Sequence, residues 1–399
     1  MTMDSSALCL PESQLRLSGS TLEAFLYTVL FPPICLFGVV GNALTILVLV
    51  NNDFMSRANI FLTCLAVCDV SFLILIIPHS LANFDRFAFN YTFRYLYLPS
   101  KMHLIAFANW TSAVAIWLVV GVCFERVAGV RSPLHRLTTP SRGKLTTGLL
   151  TLLFCCAALT FYNHVSHHCF IKSFCNASQI MAVCLDVNLD VWPNNHTNIS
   201  PPALRTYVAA TRAANAALVV FLPMILLVVL NLMLLYYVKN RSFFLYASLG
   251  RVSARMRKSG DVTLPFVRTL FRRHSDQILQ QKTEHRVAVT VCAVVTSFTI
   301  TQAPSAVVLT VNSLLKERLD VQWYHMTTIT SFLVVIGKSL NFVVFCLSSS
   351  SFRRRLVNTL RSKYGSRDEK RSHSINTAYT RCDSRDSRIL SQKKSFQSI

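Results

Sequence analysis

The chain has 399 residues, of which 52 % are hydrophobic and 15 % charged, with a formal net charge of +22. Soluble domains carry about 25 % charged residues, so an ordinary soluble enzyme, a disordered regulator and a disulfide-stapled secreted module are excluded. The forty Lys and Arg lie between hydrophobic runs rather than on a polar domain, so no nucleic-acid partner is expected.

A spanning helix needs about 20 mostly apolar residues. Seven stretches meet that need, at about 24–50, 58–82, 102–126, 145–164, 206–238, 285–312 and 323–347. They predict an all-α bundle of seven transmembrane helices over 24–347. Residues 1–23 precede it as an extracellular segment without the basic-then-apolar layout of a cleaved signal. After the last span, 348–362 read as an amphipathic helix on the membrane surface, with Phe352, Leu356 and Leu360 four residues apart beside Arg353, Arg354 and Arg355. The remainder, 363–399, is rich in Ser, Thr and Arg and reads as a disordered cytosolic tail.

Orientation follows from the basic residues, which concentrate in cytosolic loops. With the amino terminus outside, 30 Lys and Arg fall on the cytosolic side and eight on the extracellular side. The excess also draws the inner surface to anionic lipid. Sequons at Asn90, Asn176, Asn195 and Asn198 all fall in outer loops and are candidate glycosylation sites. Cys9, Cys169, Cys175 and Cys184 are outside too, where disulfides persist, and four cysteines allow three pairings.

Ionisable and amide groups at membrane depth are costly and mark function or pairing. In chain order they include Asn42 after Gly41, Asp69 in the second span, Lys338 in the seventh and Asn341 three residues on. The last two share a helix face. Glu125-Arg126-Val127 closes the third span at its inner end. Pro223 and Pro304 interrupt the backbone ladders of the fifth and sixth spans and allow kinks.

This set resembles the rhodopsin-like (class A) G-protein-coupled receptors, over about residues 24–360. Gly41-Asn42 resembles the family's first-helix motif, Leu65-Ala66-x-x-Asp69 the second, and Glu125-Arg126-Val127 its Asp/Glu-Arg-Tyr triplet. Phe221-Leu222-Pro223 resembles the fifth, Phe298 with Pro304 the sixth, and Asn341-Phe342-Val343-Val344-Phe345 stands for Asn-Pro-x-x-Tyr. The resemblance implies that agonist binding moves the sixth helix and frees Arg126, held at rest by Glu125 and Glu284, to engage a heterotrimeric G protein. Receptor kinases and arrestin would act on the tail, and neither cofactor nor enzymatic activity is implied.

Several positions depart from the family. Lys338 stands where a small polar residue helps Asp69 bind sodium, so its ammonium is expected to take the ion's place. Gln302 replaces a tryptophan that transmits ligand contact. Lys101 replaces the third-helix cysteine, so the usual disulfide to the second extracellular loop is absent. Ala108 stands where amine receptors carry an aspartate, which disfavours a small amine. Asn109, Ser112, Arg212, Gln302, Trp323, Tyr324, Thr327 and Ser331 are candidate ligand contacts. The outer ends are rich in aromatics, and the chain is similar to invertebrate neuropeptide receptors of the FMRFamide/myosuppressin type. An Arg-Phe-amide ligand would need acidic partners, for which Asp85, Asp186, Asp190, Glu317 and Asp320 are candidates, whereas Arg212 would prefer an anionic group. The alternative functions are a chemosensory receptor for an odorant or lipid and, further off, a transporter.

Overall fold

The computed structural model describes residues 9–50, 57–131, 142–192, 196–258, 289, 292–311, 321–348 and 352–361. Seven of its helices are long and apolar enough to cross a membrane. They are α1 (Thr21–Val50), α2 (Arg57–Leu81), α3 (Tyr91–Arg131), α4 (Arg142–Thr160, extended by a 3-10 turn at Phe161–His164), α5 (Pro202–Asn240, continuing to Lys258), α6 (Cys292–Val311) and α7 (Val321–Ser348). Large apolar residues such as Leu36, Phe154, Leu232 and Leu347 stand exposed on these helices, as expected for side chains whose solvent is lipid.

Most of the spans begin earlier than hydropathy predicts, and in α1 and α3 the early start has a capping reason. The α1 helix starts at Thr21 because Ser20, in extended conformation, accepts a hydrogen bond from the Glu23 N–H at 3.1 Å. That Ser-x-x-Glu spacing is a helix-start signature. The α3 helix starts at Tyr91 rather than near 102, with the Asn90 Oδ1 accepting from the Phe93 N–H at 2.9 Å. Asn90 is thus an N-cap as well as a sequon, which polarity averaging cannot see. Wider π-type turns occupy Leu26–Leu30 and Ala216–Phe221, each just ahead of prolines at Pro32-Pro33 and Pro223. A proline cannot donate to the carbonyl four residues back, so the ladder loosens on its amino-terminal side.

The α3 helix packs against α2, α4 and α5, and Ala113, Val114, Ala115, Leu118 and Val119 are buried along its length. The α7 helix lies against α1 and α2. Its approach to α1 depends on Gly41, since a Cβ there would meet the Phe342 Cβ at 2.8 Å. Between α4 and α5 the chain forms a hairpin of β1 (His167–Phe174) and β2 (Gln179–Asp186), with Cys169 opposite Cys184 and His167 opposite Asp186. A second, smaller pair joins β3 (Val191–Trp192) to β4 (His196–Thr197). The segment 352–361 is a helix in a separate compact unit and carries Phe352, Leu356 and Leu360.

Candidate functional site

Four polar residues meet in the interior of the bundle. Asp69 on α2 is 1 % exposed and Lys338 on α7 is 2 % exposed, with the Lys338 Nζ 3.0 Å from the Asp69 Oδ1. The Asn341 Nδ2 donates to the Asp69 Oδ2 at 2.5 Å. The Asn42 Nδ2 donates to the backbone carbonyls of Gly38 (2.9 Å) and Lys338 (3.1 Å), which joins α1 to the same site. The ammonium also faces the Phe72 ring, 5.0 Å from its centroid. Three helices are thereby held by one neutral charge pair and two amides. An unpaired charge at this depth costs several kcal/mol, so the pair is stable only as a unit.

At the inner end of α3, Glu125 pairs with a partner the sequence does not suggest. Its carboxylate lies 3.3 Å from the Arg57 Nη1 at the start of α2. The contact therefore ties α2 to α3. Arg126 is half-buried one residue further on. Glu284, the expected partner on the sixth helix, lies outside the described residues. Phe298 and Gln302 are buried on α6, and Pro223 is buried on α5. Pro304 lies half-buried on α6, and the Thr301 hydroxyl on the same helix donates to the Ser297 carbonyl at 2.9 Å.

Several of the ligand candidates have partners within the protein. Asn109 is exposed and its Nδ2 donates to the Asn163 Oδ1 on the turn after α4, 3.3 Å away. Arg212 is engaged by Asp186, at 2.9 Å, so the anionic group it was expected to seek in a ligand comes from the receptor's own β2 strand. Asp190 is taken by Arg205 in the same way. The Tyr324 hydroxyl donates to the Glu23 Oε2 at 2.5 Å. Ser112, Trp323, Thr327 and Ser331 are half-buried, and the Thr327 hydroxyl turns back to the Trp323 carbonyl at 3.0 Å. Asp85 opens a short helix at Asp85–Ala88, while Glu317 and Asp320 lie outside the described residues.

Sequence reasoning missed the polar hub at the outer ends of α1, α2 and α7. Glu23 is buried, with the His79 Nε2 at 3.3 Å, the Tyr324 hydroxyl, and the Gly19 N–H at 2.6 Å around its carboxylate. The His79 Nδ1 in turn lies 3.1 Å from the Tyr97 hydroxyl on α3. The Ser20-x-x-Glu23 spacing is a signal that could have placed the helix start, but it carries nothing about this inward turn of the carboxylate.

The outer cysteines pair as Cys169–Cys184, bridging the hairpin, and Cys9–Cys175, tying the amino-terminal segment to the hairpin's turn. That turn holds Cys175, Asn176 and Ala177 at positive φ (53°, 49° and 65°). Asn176 is exposed there. Asn198 instead spends its side-chain nitrogen on the Val187 (2.8 Å) and Leu189 (2.7 Å) carbonyls, so the atom a glycan would need is in structural use. Asn195 lies outside the described residues. Burial pushes the His167 imidazole below the usual histidine range, against the pull of Asp186 in the opposite direction.

No protein-family model matches the chain. A G-protein-coupled receptor of Caenorhabditis elegans is 37 % identical over 355 residues, covering 88 % of this chain and 76 % of that one. The chain belongs to the G-protein-coupled receptor family. The receptor is also 24 % identical to the sex peptide receptor-related protein 2 of C. elegans, over 84 % of this chain and 71 % of that one. A shorter stretch of 149 residues, 35 % of the receptor, is 30 % identical to 38 % of the galanin receptor type 2 of Mus musculus. Squid rhodopsin shares the fold, with a TM-score of 0.61 over 90 % of the receptor and 91 % of that chain at 13 % identity. The receptor is a multi-pass protein of the plasma membrane with seven transmembrane helices and disulfides on its outer side.

Proposed function

We propose that the receptor is of the rhodopsin-like class, answers an extracellular neuropeptide of the FMRFamide-like type, and signals through Arg126 to a heterotrimeric G protein as α6 moves outward. The observation that carries the class is the 2.5 Å contact between Asp69 and Asn341, which joins the second-helix and seventh-helix motifs in one buried site. The peptide ligand rests on the relatives named for galanin and sex peptide and on the aromatic outer ends of the helices. In this reading the Glu125–Arg57 pair and a contact of Arg126 with Glu284 hold the inner mouth shut at rest. The pair of Lys338 with Asp69 stands in for sodium, so agonist affinity is independent of sodium. The tail takes receptor kinases and arrestin.

The test is a screen of amidated peptides on cells expressing the receptor with a promiscuous G protein, with Arg126→Ala as the control. An Arg-Phe-amide peptide that signals through wild type but not through Arg126→Ala supports the reading. A response that survives Arg126→Ala, or one given only by odorants or lipids, overturns it.

A further inference from the structure

Arg94, on the outermost turn of α3, is 3 % exposed. No carboxylate neutralises it among the described residues; its partners are three backbone carbonyls from three separate segments. The Nε donates to the Ile180 carbonyl at 2.6 Å. The Nη1 donates to the Leu15 carbonyl at 2.6 Å and to the Ala88 carbonyl at 2.7 Å. Leu15 ends the helical turn Glu12–Leu15, Ala88 ends the short helix Asp85–Ala88, and Ile180 belongs to β2. Carbonyls at helix ends have no partner within their own helix. A guanidinium, whose five donors fan out in a plane, can satisfy several such carbonyls at once.

Neighbouring contacts point to the same junction. The Leu10 N–H donates to the Gln179 Oε1 at 2.8 Å, and the Gln179 Nε2 returns a bond to the Leu10 carbonyl at 3.2 Å. Ile180 is buried with Ala82, Tyr97 and Leu98, with Leu17 and Phe93 packed around them. The helix carrying Arg94 starts well before the apolar stretch, and Lys101, where a disulfide to this loop would otherwise attach, lies seven residues further in. That is two helical turns, about 10 Å, on the same face.

We propose that Arg94 is a positioning residue that fastens the outer roof of the receptor to α3: the amino-terminal segment, the turn before α3 and the hairpin are gathered on one guanidinium in place of a covalent link from Lys101's position. The early start of α3 is what brings that group up to the level of the loops. The Cys9–Cys175 bridge joins the roof's parts to one another but not to the membrane bundle, whereas Arg94 bonds the amino-terminal segment and the hairpin alike to α3. A ligand arriving from outside therefore meets a roof whose place is fixed by this side chain.

The experiment needs no agonist, so its outcome is separate from that of the ligand proposal. Hydrogen exchange is measured on the full chain in nanodiscs for wild type, Arg94→Met, Arg94→Lys and Cys9→Ser/Cys175→Ser. Arg94→Met is expected to speed exchange at least tenfold in 9–17 and 167–186, leaving α2 and α7 unchanged. Arg94→Lys, with donors on a single nitrogen, should speed the same two segments by less. The double serine variant should keep 13–17 protected, because Leu15 is still held. If Arg94→Met does not fold, Arg94→Lys decides: faster exchange confined to the two segments supports the proposal. Unchanged protection in the arginine variants, a uniform loss across all helices, or loss of 13–17 protection in the serine variant overturns it.

Discussion

Two buried cations, Lys338 in the polar floor deep in the bundle and Arg94 in the outer roof, are held in opposite ways. In the floor, Asp69 and Lys338 neutralise each other with asparagine support. In the roof, the Arg94 cation is surrounded by backbone carbonyls. The difference follows from what the backbone has to spare. Within a spanning helix nearly every carbonyl is already bonded, so a buried charge must find a side chain of opposite sign. Loop turns and short helices leave carbonyls unpaired, and those carbonyls can solvate a guanidinium without a counter-ion.

The largest effect should come from breaking the floor. Lys338→Met leaves Asp69 buried and unpaired and is expected to cost about 3–5 kcal/mol. Surface expression should collapse, and Lys338→Met combined with Asp69→Asn should recover most of it. If the double variant is no better than the single, counted by surface immunolabelling, the two groups do not act as a pair.

The inner-face contact is smaller. Arg57→Ala removes the partially buried partner of Glu125, worth about 1 kcal/mol, and should raise basal signalling severalfold if that contact holds the resting state. Agonist-free G-protein activation measured at matched expression checks this, and an unchanged basal level removes Glu125–Arg57 from the resting lock.

In the roof, Arg212→Ala breaks the pair that fastens the end of β2 to α5, for roughly 0.5–1 kcal/mol. Its effect should be local, seen as faster hydrogen exchange near Asp186 with no fall in surface expression. A large fall in expression would show that this contact, like the floor, carries the fold.

The smallest expected effect is one of pH. His167 has its titration lowered by burial in the folded protein. The unfolded chain then takes up a proton more readily, so the stability contributed by the neutral imidazole is complete above about pH 6.5 and declines as pH falls below it. Melting of wild type and His167→Gln between pH 8 and 5 should show a slightly steeper acid loss in wild type. The opposite order would mean that Asp186 outweighs burial.

Much of the membrane part was legible in the residues. Asp69, Lys338, Asn341 and Asn42 stood out because polar groups in apolar runs are few, and the structure draws those four together. Glu125 was visible but its partner was not, since Arg57 is 68 positions away in the chain. The outer half was harder to read. Arg94 and Glu23 lie where the sequence is already polar, so nothing in composition marks them as buried.

The sequence by itself determined the seven crossings, their orientation and the order of polar residues along them, because hydrocarbon thickness and charge bias act on each segment separately. Only the tertiary structure decided which groups meet: Cys9 with Cys175, Arg57 with Glu125, Asp186 with Arg212, and Arg94 with three carbonyls. Those choices depend on which helix ends and loops share a level in the assembled bundle. That is a property of packing, to which no single segment of the chain has access.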